Sequence, residues 1–383
     1  MRTTRLGAVA VSLAAALAIA ACGSSNSSSS SASAGGSGGS TGTSASGGSS
    51  GSAVSPATLN GAGSTLAQPI YQQWGSILKG KGLTINYNGV GSGTGIADLQ
   101  TATVDFAGSD PSLAPADKKA MKGEVLQYPV AFGAITVSYN LPGVKSGLKL
   151  DGPTLAGIFS GKIKTWNDPA IKSLNPSLSL PSTSITVVHR SDSSGTTAGF
   201  TQYLSDVSPS WKSSIGTDKD VKWPVGTGAA KNSGVAAAVK QTAGAVGYVE
   251  QAYALENGFT YAAVKNSGGT YVLPTITNTS AAANGIKVPA DLGISTINSP
   301  APGAYPIVSQ TFLVAYKDPC KDDKESAATA KGLKSFLTYA FGAGQQTLGE
   351  GGDKLPYAPL PATLVTKNNA QLATMTCNGS PIS

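Results

Sequence analysis

The run Val187-Val188-His189-Arg190-Ser191-Asp192-Ser193-Ser194-Gly195-Thr196-Thr197 joins a short β-branched segment to a turn of glycine and small hydroxyl residues. Its first part predicts a buried strand (185–188) and the stretch after it a helix (197–204), so the turn lies at a helix N-terminus. Unpaired backbone N–H groups and the positive end of the helix dipole favour an anion there. Among 27 Lys and Arg residues only Arg2, Arg5 and Arg190 are arginine. A guanidinium presents a planar fork of donors that grips a tetrahedral oxyanion in two bonds, which lysine does not do. Asp192 is near enough in the chain to orient that fork; the plainer reading is a surface arginine beside a solvated aspartate. His189, the sole histidine, invites a Ser-His-Asp reading with Ser194 and Asp192. Neighbours on one loop rarely reach that geometry, so a structural histidine at the strand end is expected.

Two other places repeat the pattern. Gly61-Ala62-Gly63-Ser64-Thr65 precedes a helical stretch (66–79), and Gly91-Ser92-Gly93-Thr94-Gly95 precedes another (96–101). Singly, such residues are ordinary helix caps; three sets in one chain, one of them four residues after Arg190, are harder to dismiss as caps alone. Asp110 follows Val104-Asp105-Phe106-Ala107-Gly108-Ser109 and precedes Pro111, a usual position for a turn former. Beside an anion it is useful only if the ligand brings a proton, because an ionised carboxylate only accepts. Phosphate near neutral pH brings one and sulfate does not.

The remaining strands are expected at 83–87, 134–139, 244–249 and 311–316, and helices at 155–159, 235–241 and 327–341. The alternation implies an α/β fold with largely parallel sheets, and the length of the folded part implies two lobes. No internal repeat is present.

Residues 1–22 read as an export signal: Arg2 and Arg5, an apolar run too short for a comfortable span, then Ile19-Ala20-Ala21-Cys22. That ending resembles the lipobox of bacterial lipoproteins, which implies lipidation of Cys22; a plain cleaved signal is the alternative. Residues 23–57 are nearly all Ser, Gly, Ala and Thr, a flexible linker with a root-mean-square reach of roughly 30 Å. The anchor is therefore expected to be lipid alone, on the extracytoplasmic face of the membrane. Cys320 and Cys377 are the remaining cysteines, and in an oxidising compartment they favour a structural disulfide over two free thiols. One histidine and two distant cysteines offer no metal site, and no cofactor is expected. The net charge of +7 is spread over single lysines, and four Trp and eight Phe make no stacking platform, so nucleic acid is not an expected partner.

Together with Gly89-Val90-Gly91-Ser92-Gly93, Gly161-Lys162-Ile163-Lys164-Thr165-Trp166 and Gly244-Ala245-Val246-Gly247-Tyr248-Val249, the three glycine-hydroxyl segments and the Asp110 segment resemble the substrate-binding proteins of the bacterial phosphate-specific ABC transporter. The match runs in order from about Leu59 to the C-terminus and is weakest at 265–304. The resemblance implies a two-lobed periplasmic-binding-protein (type II) fold with two chain crossovers. Lobe I would comprise 58–131 and 306–383, and lobe II 132–305. It further implies a monomeric, non-enzymatic receptor that delivers phosphate to a membrane permease. Carried over by position, Ser64, Thr65, Leu66 (through its backbone N–H) and Ser92 donate, and Asp110 accepts the phosphate proton. Arg190 supplies the fork, Asp192 orients it, and Ser194, Gly195 and Thr196 complete the shell. Leu66 stands where the family often has an aromatic residue, and Gly93-Thr94 replaces a commoner Ser-Gly. A receptor for sulfate or molybdate is the first rival, and Asp110 argues against it. A secreted phosphate-ester hydrolase is the second; it lacks a metal cluster and a nucleophile with an evident base.

Overall fold

The computed structural model describes residues 54–383; the expected signal, Cys22 and all but the end of the linker lie outside the described residues. A nine-stranded mixed sheet organises the chain into two wings. Strands Ala57–Gly63, Leu83–Gly89 and Phe106–Ser109 run parallel in the first, with Val308–Tyr316 antiparallel beside Phe106–Ser109. Strands Thr186–Arg190, Thr227–Ala229 and Ala245–Glu250 run parallel in the second. The long strand Val125–Tyr139 belongs to both. Its residues up to Ala134 pair with Val308–Tyr316, and Ile135–Tyr139 pair with Ala245–Glu250. The fold is α/β and two-lobed as expected, but the sheet is mixed rather than largely parallel. Within a wing, crossover helices return the chain in one direction; the two strands that pass between wings run in opposite directions and meet antiparallel.

Pro129 explains why only the second half of the long strand reads as one in sequence. A prolyl ring donates no ladder bond and confines itself to edges and bulges. Here Thr311 pairs with Ala131 and Phe312 with Pro129, so Val130 bulges out. The freed carbonyls are satisfied by side chains: Asn368 Nδ2 donates to Pro129 O at 2.7 Å, and Gln345 Nε2 to Val130 O at 2.9 Å.

Helix Gln68–Lys79 buries Ile70, Tyr71, Trp74 and Leu78, one face at helical spacing. Tyr71 meets Tyr87, Phe106 and Phe336 edge-on at 4.6, 5.7 and 5.9 Å between ring centroids, which fixes the turn ahead of the helix against the sheet. Phe336 comes from helix Ala327–Phe341, which has the expected bounds because Ser326 caps it by accepting from Thr329 N at 3.0 Å.

Cys320 and Cys377 form the expected disulfide across 57 residues of chain. Beside it Asp318 accepts from Lys321 N, Thr376 Oγ1, Asn378 N and Gly379 N at 2.7–3.1 Å, so the C-terminal hairpin is held twice. Replacing both cysteines by serine is expected to lower stability by about 2–4 kcal/mol, short of the full loop-entropy value because the Asp318 bonds remain. The check is the denaturant midpoint, with the slope held constant.

Candidate functional site

Three strand ends and three helix starts converge between the wings. Gly63, at φ 136°, closes the first strand; a Cβ there would lie 2.1 Å from Gly108 O, so the turn into Ser64 packs on the neighbouring strand only with glycine. Ser64 Oγ donates to Asp110 Oδ1 at 2.5 Å and accepts from Leu66 N and Ala67 N at 3.0 and 3.2 Å. Asp110 N donates to Ser92 Oγ at 3.3 Å, and Gln310 Nε2 holds Asp110 O at 2.8 Å. Asp110 is 1% exposed, and its Oδ2 is buried without a partner. That oxygen faces the opposite lobe: a Cβ on Gly195 would lie 2.4 Å from both Asp110 Oδ2 and Ser92 Oγ. Burial pushes the Asp110 carboxyl up to about 6, although the Ser64 and Thr311 hydroxyls, the Arg190 cation and the Ser92 hydroxyl pull it down.

Arg190 ends its strand 3% exposed, with its N–H on Tyr248 Oη at 3.0 Å. Nε donates to Asp192 Oδ1 at 2.7 Å, Nη2 bonds Asp192 Oδ2, and Nη1 reaches Thr196 Oγ1 at 3.4 Å. The surface-arginine alternative fails on this burial. Lys231 N adds a 2.9 Å bond to Asp192 Oδ1. Burial raises the Asp192 carboxyl, but the Arg190 fork and the Lys231 N–H outweigh it and hold it below the ordinary aspartate range. Nε, one hydrogen of Nη2 and one of Nη1 are thus engaged, which leaves one N–H on each Nη without a protein acceptor among these contacts.

Ser194 caps helix Gly195–Val207 by accepting from Thr197 N at 3.1 Å. His189 stacks on Trp223, 4.8 Å between centroids, and its Nδ1 is 2.9 Å from Arg190 O. Serine, histidine and aspartate are thus each engaged elsewhere, and the structural reading of His189 holds. The Leu66 N–H, expected to face the ligand, is turned onto Ser64 Oγ, and the Leu66 side chain packs toward Gly133.

A PBP superfamily domain matches residues 29–343. The chain is 40% identical over 320 residues to the phosphate-binding protein PstS of Xylella fastidiosa (strain Temecula1), covering 82% of this chain and 85% of that protein. It is 39% identical over 321 residues to PstS of Haemophilus influenzae, covering 83% and 93%. The chain belongs to the PstS phosphate-binding protein family. In fold it is similar to a high affinity periplasmic phosphate-binding protein solved bound with phosphate, with TM-score 0.65 and 24% identity over 82% of this chain and 93% of that one. The phosphate binding protein of Stenotrophomonas maltophilia is similar in fold at TM-score 0.59 and 20% identity, covering 82% and 93%.

In this PstS family chain the lobes touch around the site through residues that sequence reasoning missed. Asn232, fully buried, donates Nδ2 to Thr65 Oγ1 at 2.9 Å and lies 3.3 Å from Thr196 Oγ1, so one amide spans both lobes. Tyr253 Oη donates to Thr65 O at 2.8 Å. Gly93 N donates to Ser193 O at 3.2 Å, and Lys219 Nζ lies 3.3 Å from Asp117 Oδ2. The only sequence signal for Asn232 was a polar residue opening helix Lys231–Gln241, a fourth helix start of the kind already noted. Tyr253 carried none.

Proposed function

We propose that this chain captures inorganic phosphate outside the cytoplasmic membrane and delivers it to an ABC permease, with Ser64, Thr65, Ser92, Asp110, Arg190, Ser194, Gly195 and Thr196 around the ligand. The observation that carries the reading is Asp110 Oδ2: a buried oxygen left without a hydrogen-bond partner, facing the opposite lobe at Gly195 and acted on by the Arg190 cation. An acceptor beside a guanidinium is the pair that a protonated tetrahedral oxyanion completes. The lobes hinge where partners change on the two long strands, between Ala134 and Ile135 and just ahead of Val308. Titration calorimetry of the full chain with phosphate and sulfate in parallel tests the reading: tight phosphate binding with sulfate rejected supports it, and equal binding of both overturns it.

The receptor is held at the membrane by lipid on Cys22. No helix among the described residues is long and apolar enough to cross a membrane. Cys22→Ala is expected to move the protein into the soluble or secreted fraction. Membrane association that survives in this variant at high salt would remove the lipoprotein assignment.

A further inference from the structure

Glu250 sits where the wings join. It pairs with Ile135 on the long strand, its side chain is fully buried, and its N–H donates to Asn232 Oδ1 at 3.0 Å. Ala252 N donates to Glu250 Oε2 at 2.8 Å. The same oxygen is 2.8 Å from Tyr357 Oη, which in turn is 2.8 Å from Leu66 O.

A carbonyl only accepts and a phenol carries one hydrogen, so the two contacts of Tyr357 need a second hydrogen that only the carboxyl can bring. Without it, two lone pairs would face each other at 2.8 Å. From this geometry we infer that Glu250 is a neutral carboxylic acid that donates to Tyr357, leaving Tyr357 to donate to Leu66 O and fix the Ser64–Ala67 turn. The residue type matters. A protonated carboxyl oxygen accepts the Ala252 N–H and donates to the phenol from one atom; a carboxylate oxygen cannot donate, and an amide nitrogen cannot accept.

The surroundings favour the neutral form. Burial pushes the Glu250 carboxyl well above its ordinary range; the contacts with Tyr357 and Ala252 N pull it down without offsetting that, and the Asp110 charge adds a smaller upward push. The groups facing it are Tyr357 from the C-terminal region, Tyr253 from the helix that follows it, and Asp110 across the site. The Arg190 cation bears on Asp110 and Tyr253. Glu250 therefore acts as a positioning residue: through Tyr357 it holds the turn of Ser64, and through Asn232 it meets Thr65 and Thr196. As pH rises and Glu250 ionises, Tyr357 turns its one hydrogen to the carboxylate and Leu66 O is left without a donor. On the phosphate reading, on which this consequence rests, affinity falls with that step.

The experiment has two arms. The infrared difference spectrum between wild type and Glu250→Gln at neutral pH, without phosphate, should contain the carbonyl stretch of a carboxylic acid; its absence would overturn the neutral assignment. Phosphate titrations are then run from neutral to alkaline pH on wild type, Glu250→Gln and Tyr357→Phe. Gln at 250 is an acceptor toward Ala252 and Phe at 357 lacks the hydroxyl, so both variants should bind about three- to tenfold more weakly at neutral pH. That deficit should vanish at alkaline pH, where wild type has lost the same bond. Phosphate's own ionisation is common to all three proteins and cancels in the ratio. A deficit that stays constant with pH would mean a merely structural role and would overturn the coupling. Failure of all three to bind phosphate while the infrared band is present would instead sink the phosphate reading and leave neutral Glu250 standing.

Discussion

Asp110→Asn is expected to bring sulfate affinity toward that of phosphate, shifting the ratio of the two dissociation constants by about three to four orders of magnitude. A site built around a ligand hydroxyl rejects an analogue lacking it by roughly 10⁴–10⁵, because a buried acceptor is then left facing lone pairs. Asp110 Oδ2 is such an acceptor, buried and without a hydrogen-bond partner. An amide in its place can turn a donor toward either anion, so the penalty disappears while phosphate itself still binds. The wild type should show the same trend with pH. Its carboxyl lies near 6, raised by burial and lowered in part by Ser64 and Arg190. Above that value the ionised group accepts the phosphate proton and excludes sulfate; as pH falls through it the group gains a proton, becomes a donor, and discrimination weakens. Parallel calorimetry with both anions, in wild type and variant at one ionic strength, decides the matter. A ratio indifferent to both the substitution and pH would reduce Asp110 to a turn residue.

Removing the arginine fork is the second large effect. Arg190→Lys keeps the charge and loses the paired donors, so phosphate affinity is expected to fall by about 1.5–3 kcal/mol with stability little changed. Arg190→Met goes further and leaves Asp192 without its cation. Breaking a buried pair from one side costs about 3–5 kcal/mol. Asp192 keeps 18% side-chain exposure and its bond from Lys231 N, so about 3 kcal/mol is expected, together with loss of phosphate binding. The pH dependence follows from the lowered Asp192 carboxyl. The pair's stabilisation is complete above the ordinary aspartate pKa of about 3.9 and is lost as pH falls through the lower folded value; Arg190→Met should lack that acid-side contribution. Denaturant titrations at neutral and acidic pH measure the stability, and calorimetry the affinity. Unchanged phosphate binding in a stably folded Arg190→Met would place the site elsewhere.

The parts of this protein that sequence alone determined are those encoded within a few neighbouring residues. Helix Ala327–Phe341 was legible because its cap and apolar period are local, and Arg190-Ser191-Asp192 was legible because a lone arginine two residues from an aspartate has few uses other than a fork. The glycine-hydroxyl starts could be read as anion-binding for the same reason: a helix N-terminus presents the same donors wherever it lies. Only the tertiary structure decided which groups meet across the lobes. The mixed sheet depends on the long strand Val125–Tyr139 continuing through Pro129, which it does because Asn368 and Gln345, more than 200 residues away in the chain, satisfy the carbonyls at the bulge. Asn232 reaches Thr65 across 167 residues, and Tyr357 reaches Glu250 across 107. Contacts of that range leave no periodicity or spacing in the sequence. The residues that position the anion site from a distance therefore emerge only when the sheet brings their strand and loop ends to one place.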